Sequence, residues 1–401
     1  MKQVCMITHD APHIDRRILL QAKTLIKNGY DVSIIYPFGD ANSDFANVGI
    51  KYIPIMQQLS VKNGLSFFKK TLRILLPQKM YVKIKELYFK VAKNDFIDYE
   101  EELKVKSLEK KYDIYVAHDL PALLIAHYAA KQNGSKLVYD SHEFFTGQIA
   151  LQGNRKQFFQ NLEKKLIYDV DLFFTVNEDI ANLFVNEYGI APPQVLLNSI
   201  EENEQISSVN LYKKLGIHES KNIILYQGGF LEDRNLEILV QSAQYLEENN
   251  ILVMLGYSFL EDKLKKIAKK LNIIHKKVYF MDRVTQKELL NYTAGATIGV
   301  IPYPDIDLNT KYCTPNKMFE FITAEVPIVA NEKLVTASKI LKKLNIGYFI
   351  SFESPKSIAD GLNQSLLEIK NVSFLENIKK AKQKLSWGNQ ENILIDSYQK
   401  L

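Results

Sequence analysis

The chain has 401 residues, more than one hydrophobic core usually serves, so two domains are expected. Its 46% hydrophobic and 24% charged residues are ordinary for a globular protein and exclude a disordered or fibrous one. A formal charge of +5 permits an anionic partner without choosing one, and two distant cysteines, Cys5 and Cys313, exclude a disulfide scaffold or a cysteine zinc site. They favour a reducing compartment, and the absence of a cleavable leader or a long apolar run leads us to expect a soluble, cytoplasmic chain.

In chain order, Val4–Thr8 reads as a buried strand. Asp15 is placed to cap a helix whose apolar face carries Ile18, Leu19, Ala22, Leu25 and Ile26, with Gly29 as its stop. Strands follow at Val32–Tyr36, Tyr112–Ala117, Lys136–Tyr139, Leu172–Val176 and Val195–Leu197, with helix-like sequence between them. The stretch around Ile200–His218 is polar and acidic and reads as a linker. Alternation then restarts, with strands at Ile223–Tyr226, Ile251–Leu255, Val278–Phe280, Ile298–Ile301 and Ile328–Ala330. Continuous apolar strands alternating with helices imply parallel sheets covered on both faces. The expected architecture is α/β, with two Rossmann-like domains facing a central cleft. Ligands of such sheets bind beyond the carboxyl ends of the strands.

One stretch breaks the pattern. Lys62 to Lys93 holds nine Lys or Arg residues and a single acid, Glu86, interleaved with apolar residues. It reads either as surface helices packed on the first domain or as an amphipathic segment resting on an anionic membrane.

Three constellations follow strands. In Tyr312-Cys-Thr-Pro-Asn-Lys-Met-Phe-Glu320, Thr314 suits an N-cap and Pro315 a first helical position, so Asn316 and Lys317 would sit in a first turn able to hold a phosphate. Glu320 shares the face of Lys317 and could accept hydrogen bonds from vicinal hydroxyls. A capped helix with an exposed ion pair is the competing explanation. In Tyr226-Gln-Gly-Gly-Phe-Leu-Glu-Asp-Arg234, Gly228 and Gly229 allow close backbone approach and Arg234 could fork onto phosphate oxygens. The first half offers His118-Asp119 and Asp140-Ser-His142-Glu143, titratable groups at strand ends. No P-loop, H-E-x-x-H helix or nucleophile elbow occurs.

With those residues in view, the chain resembles glycosyltransferase family 4, retaining enzymes of the GT-B fold that include builders of bacterial surface polysaccharides. Asp15-Arg16-Arg17-Ile18 through Gly29-Tyr-Asp-Val32 is similar to the family's opening helix. Tyr112-Asp-Ile-Tyr-Val-Ala-His118-Asp119, Val138-Tyr-Asp-Ser-His142-Glu143, Tyr226-Gln-Gly-Gly229 with Arg234, and Pro315-Asn-Lys317-Met-Phe-Glu320 with Val326-Pro327 resemble later motifs in the right order. Ser386-Trp387 and the closing helix resemble the family's tail. The resemblance implies an acceptor domain over residues 1–200, with the basic insertion at 60–95, and a nucleotide-sugar donor domain over 201–380. Residues 381–401 would be a C-terminal helix crossing back to the first domain.

It also implies roles. Arg234 and Lys317 would neutralise the diphosphate of a UDP- or GDP-sugar, Glu320 would bind the ribose, and Gly228, Gly229, Tyr312 and Asn316 would complete the donor site. His118 would contact the sugar near the reacting carbon. Asp15, Arg16, Asp119, His142 and Glu143 would face a saccharide or polyprenyl-linked acceptor. No metal or other cofactor and no nucleic acid is expected, although Asp305-Ile-Asp307 has the form that metal-dependent sugar transferases use. A peripheral position at the inner face of the cell membrane is the expected location. Three departures stand out: Tyr312 replaces an acid the family often carries, and Asn235 and Glu325 stand where glycines are frequent. A nucleotide-sugar epimerase or hydrolase, or a non-catalytic nucleotide-sugar-binding subunit, would use the same donor residues.

Overall fold

The computed structural model describes residues 1–9, 15–37, 48–55, 97–201, 205–369 and 372–401. The basic segment Lys62–Lys93 lies outside them. Thirteen strands form two parallel sheets among the described residues. The first sheet comprises β1 Gln3–Thr8, β2 Asp31–Tyr36, β3 Lys51–Pro54, β4 Ile114–His118, β5 Lys136–Ser141, β6 Leu172–Thr175 and β7 Gln194–Val195, in the order β3-β2-β1-β4-β5-β6-β7. The second comprises β8 Asn222–Gln227, β9 Asn250–Leu255, β10 Val278–Met281, β11 Ile298–Ile301, β12 Ile328–Asn331 and β13 Gly347–Ile350, in the order β10-β9-β8-β11-β12-β13.

Each sheet is buried on both faces because its central strands are apolar throughout and successive side chains point opposite ways. In β1, Cys5 and Ile7 enter one core cluster while Val4 and Met6 enter the other. In β8, Ile223 and Leu225 pack to one side and Ile224 and Tyr226 to the other. The sequence reading missed β3 and β13 because both are edge strands. Lys51–Pro54 has no fully buried residue and Gly347–Ile350 has one, so neither needs a continuous apolar run.

Helix starts follow local chemistry. The Asp15 carboxylate accepts from the Arg17 N–H at 2.9 Å, and Gly29 closes that helix with φ +83°. Helix 316–323 corrects an expectation: its cap residue is Pro315, extended at φ −64° and ψ 144°, and no side chain caps it. Thr314 lies one residue too early: the Pro315 ring fixes φ at a value that suits a helix and an extended turn alike, and its ψ of 144° leaves it outside the helix as the cap residue. Its hydroxyl accepts from Asn177 Nδ2 at 3.3 Å instead.

The chain crosses between lobes twice, and the crossings are bonded together, Trp387 N–H donating to the Ile200 carbonyl at 2.8 Å. Helix 372–384 packs on the second lobe, while helix 387–398 returns to lie along helix 16–27 of the first. Trp387 is the pin of this return: it is 1% exposed and its indole N–H donates to Thr24 Oγ1 at 2.9 Å. Trp387→Ala should cost about 3–5 kcal/mol through the cavity it leaves. Thermal unfolding and hydrogen exchange should show helix 387–398 losing protection first; unchanged protection there would contradict the pinning role.

The candidate active site between the two lobes

A cleft of about 1210 Å³ runs between the carboxyl ends of the two sheets. Eleven of the sequence-selected residues line it: Asp15, Arg16, Asp119, His142 and Glu143 from the first lobe, and Gly228, Gly229, Arg234, Asn316, Lys317 and Glu320 from the second. Two do not. His118 is buried beneath His142, and the Tyr312 ring packs into a first-lobe cluster containing Phe144, Ile180 and Phe184.

On the second lobe, the two cations meet at a residue the sequence reading did not select. The Arg234 guanidinium lies 4.1 Å from the centroid of the Tyr303 ring, and Lys317 Nζ lies 4.4 Å from the same centroid. Lys317 Nζ also donates to Tyr303 Oη at 2.5 Å and sits 4.6 Å from the Tyr226 ring. Lys317 is only 7% exposed. Burial alone would lower its pKa, but Tyr226 and Tyr303 outweigh burial and raise it, so the ammonium stays charged. Tyr303 is placed by Asn331, whose side-chain amide donates to its carbonyl at 3.0 Å, and the turn before it is held by Asn235 Nδ2 donating to the Pro302 carbonyl at 2.9 Å.

The start of helix 316–323 opens beside this pair. Met318 N–H bonds the Pro315 carbonyl at 2.8 Å, and with no capping side chain the earlier amides of the turn remain available to an anion. Gly228 (φ +116°) brings the backbone against Lys317; a Cβ there would lie 3.5 Å from Nζ. Gly256 is more tightly constrained still, since a Cβ would meet the Gly228 carbonyl oxygen at 2.0 Å. It escaped the sequence reading although it carries the same signal as Gly228, a glycine directly after a buried strand. Asn235 (φ +55°) and Glu325 (φ +59°) both adopt the left-handed backbone that glycine favours, which explains why those positions suit glycine.

Glu320 is committed within the protein: Gln227 Nε2 donates to Glu320 Oε2 at 2.6 Å, and Thr293 Oγ1 in turn donates to Gln227 Oε1 at 2.8 Å. Burial raises the Glu320 pKa against the opposing effects of Gln227 and Lys317. Across the lobe mouth, Tyr257 and Arg283 stack at 4.7 Å, a further cleft-lining pair without a sequence signal.

The first-lobe wall is a buried charge network. Asp140, fully buried, receives the Arg17 guanidinium at both oxygens, with Nε at 3.0 Å, and Gln21 Nε2 at 2.6 Å. His142 bridges Asp140 through Nε2 at 2.9 Å and Asp15 through Nδ1 at 2.8 Å. Burial works against the imidazolium, but Asp119, Asp15 and Asp140 hold the His142 pKa well above its ordinary value. Burial likewise opposes the Asp140 carboxylate, and Arg17 and His142 push its pKa well down. Asp15, opposed by burial but paired with His142, titrates at about 2. His118 stays neutral because burial dominates; its Nδ1 lies 3.2 Å from Asp140, and its Nε2 has no partner among the described residues.

Asp119 marks the strain in this wall. Its φ of +64° and ψ of 165° are rare outside glycine and cost about 1–3 kcal/mol. The His142 N–H holds it, donating to Asp119 Oδ1 at 2.8 Å. Glu143 crosses the cleft: Asn309 Nδ2 donates to its Oε2 at 3.0 Å, and burial, then Asp119, push its pKa up to about 7. His118, Asp140 and His142 also bring three ligand-type atoms within 4.8 Å of one another. Arg17, Gln21 and both imidazoles already occupy the Asp140 lone pairs, which is poor preparation for a metal.

Residues 209–384 match the family "Glycosyl transferases group 1", and residues 88–204 match "Glycosyltransferase Family 4". The chain is a GT-B glycosyltransferase of the family 4 type. No curated protein matches it in sequence. Among solved structures, this glycosyltransferase is similar to sucrose-phosphate synthase from Thermosynechococcus elongatus (TM-score 0.74, 12% identity, covering 100% of this chain and 99% of that one). It is similar to Anabaena Alr3699/HepE in complex with UDP and glucose (TM-score 0.72, 13% identity, 100% of both chains). It also resembles WaaG, a glycosyltransferase involved in lipopolysaccharide biosynthesis (TM-score 0.63, 16% identity, 98% and 99%). At these identities the likeness is one of fold.

The His142 network makes a pH prediction for the glycosyltransferase. A histidine whose folded pKa is raised contributes stability that is complete below its unfolded value of about 6.5 and is lost as pH rises through the folded value. His142→Gln should lower the melting temperature most near pH 6, and the gap to the parent should narrow in the alkaline range. A gap that stays constant from pH 6 to 10 would show that the imidazolium charge does not matter.

Proposed function

We propose that the chain transfers a sugar, with retention of configuration, from a UDP- or GDP-sugar to a saccharide or lipid-linked saccharide acceptor in surface polysaccharide synthesis. One observation carries this reading: Arg234 and Lys317 converge on Tyr303 beside the uncapped start of helix 316–323, in a cleft wide enough for a nucleotide sugar. The Anabaena neighbour bound to UDP and glucose and the lipopolysaccharide-related WaaG support the donor class and the biological setting.

In this proposal, cleavage of the bond between the anomeric carbon and the phosphate oxygen sends its electron pair onto the leaving diphosphate. Lys317, Arg234 and the helix-start amides meet the charge as it forms, the kind of preorganised electrostatic term that dominates many enzymes. The acceptor hydroxyl oxygen bonds to the anomeric carbon on the face the diphosphate leaves, and its proton passes to a phosphate oxygen. No protein nucleophile is involved. Gly228, Gly229 and Asn316 line the diphosphate path, and Glu320, oriented by Gln227, receives ribose hydroxyls. Asp15, Arg16, Asp119, His142 and Glu143 form the acceptor wall, with His118 supporting it from below. We also propose that no metal takes part, the two cations filling the role a divalent ion would play. The enzyme would work in the cytoplasm at the membrane, touching it through the basic segment; no helix of the described residues is long and apolar enough to cross it.

Lys317→Ala and Arg234→Ala should each slow transfer by about 100-fold or more, as loss of one transition-state charge partner typically does. Nucleoside diphosphate release from a donor that turns over measures this, and losses below about threefold in both variants would remove the assignment. Activity should also survive EDTA. A strict requirement for added magnesium or manganese would contradict the proposed charge balance.

A further inference from the structure

We propose that Asn177, a first-lobe residue outside the cleft lining, is a positioning residue for transfer: it ties the loop before the phosphate-holding helix to the first lobe. The inference rests on the glycosyltransferase reading above and deepens it.

Asn177 follows β6 and is 2% exposed. Its side-chain amide is used at both ends. The oxygen accepts from the Ile180 N–H at 2.9 Å, capping helix 178–188 within its own lobe. The nitrogen points across the interface, donating to the Tyr312 carbonyl at 3.0 Å and to Thr314 Oγ1 at 3.3 Å. Those acceptors flank Cys313, and Pro315 then opens helix 316–323, so the tether lies three residues from Lys317. Thr314 is itself buried, 3% exposed, which makes these bonds dry and directional.

The neighbouring contacts have the same sense. The Tyr312 ring packs among Phe144, Ile180 and Phe184 of the first lobe. Asn309, on the short helix before Tyr312, accepts from the Phe144 N–H at 3.1 Å while donating to Glu143. The loop therefore has one end fixed to the second lobe through Tyr303 and its far end fixed to the first through Asn177. Lys317 and the helix start are held on the second lobe itself, by Tyr303 and by Met318 and Phe319 in its core, so what the tether sets is how that lobe and the diphosphate on it face the first-lobe wall. A nucleoside diphosphate bound to the second lobe alone does not need the tether; the transfer geometry does.

The amide's division of labour gives a clean variant. Asn177→Asp keeps the capping oxygen and is at least as good a cap, but it removes both cross-lobe donors and sets a carboxylate against the Tyr312 carbonyl. Thr314→Val removes the second acceptor while keeping the branched shape. The full-length chain would be compared with both variants by melting temperature, by calorimetric affinity for UDP and GDP, and by steady-state release of nucleoside diphosphate. For Asn177→Asp we expect a folded chain with a modestly lower melting temperature, since a buried carboxylate replaces two donated bonds. Diphosphate affinity should stay within about twofold and kcat should fall by about 10- to 100-fold, since small misplacements of a catalytic group cost this much. Thr314→Val should show a smaller loss of the same kind. Transfer within about threefold of the parent in Asn177→Asp would overturn the proposal. So would a diphosphate affinity that falls in step with kcat, which would make the cross-lobe bonds general support for the fold. If the parent chain binds neither nucleotide and turns over no donor, the glycosyltransferase reading fails first and this inference falls with it.

Discussion

Two like charges share one aromatic ring in the middle of this molecule, and much of the rest is arranged to keep them there. Arg234 and Lys317 would repel each other in a cleft partly closed to water. The Tyr303 ring and hydroxyl, with the Tyr226 ring behind, supply the compensating negative field without cancelling either charge. An anion between the cations would relieve the repulsion, which is the physical basis of the proposed diphosphate site. Glycines at 228 and 256 keep the backbone low enough to leave room.

The facing wall solves the opposite problem. Asp140 is buried with no exposure, a cost repaid only by dense pairing. Arg17, Gln21, His118 and His142 converge on it, and His142 passes the charge pattern outward to Asp15 and Asp119 at the cleft surface. The result is a hydrogen-bonding surface of mixed charge, with Asp15 and Asp119 set against His142 and Arg16, opposite a cationic one. That arrangement suits a reaction in which a diphosphate departs toward one lobe while a hydroxyl group approaches from the other. Asp119 carries backbone strain at the point where the two strand ends meet, which fits a position held for function rather than for folding alone.

The central strands were legible in the sequence because burial on both faces demands unbroken apolar runs, and Ile298–Ile301 was located to the residue. The edge strands Lys51–Pro54 and Gly347–Ile350 were not, since half-exposed strands can carry polar and turn residues. Arg234 and Lys317 were legible as cleft-lining cations because Arg234 follows β8 across a glycine turn and Lys317 stands in the first turn of helix 316–323, where geometry restricts what a charge can face. Tyr303 was not: an aromatic residue between two prolines carries no signal until the fold brings Arg234 and Lys317 to its ring. The capping role given to Thr314 failed for a local reason, the extended Pro315 turn. Tyr312, read as a donor contact, turns its ring into the first lobe, and that contact depends on the packing of two lobes that no local pattern encodes.

The claim that the cations hold a diphosphate is tested most directly by comparing UDP with UMP, and GDP with GMP, by titration calorimetry against the full chain and Lys317→Ala. Charge-assisted contacts worth about 1.5–3 kcal/mol predict that the better diphosphate binds about 10- to 100-fold more tightly than its monophosphate. That gap should largely collapse in Lys317→Ala. Equal affinity for the two nucleotides, or a gap that survives the substitution, would contradict the account.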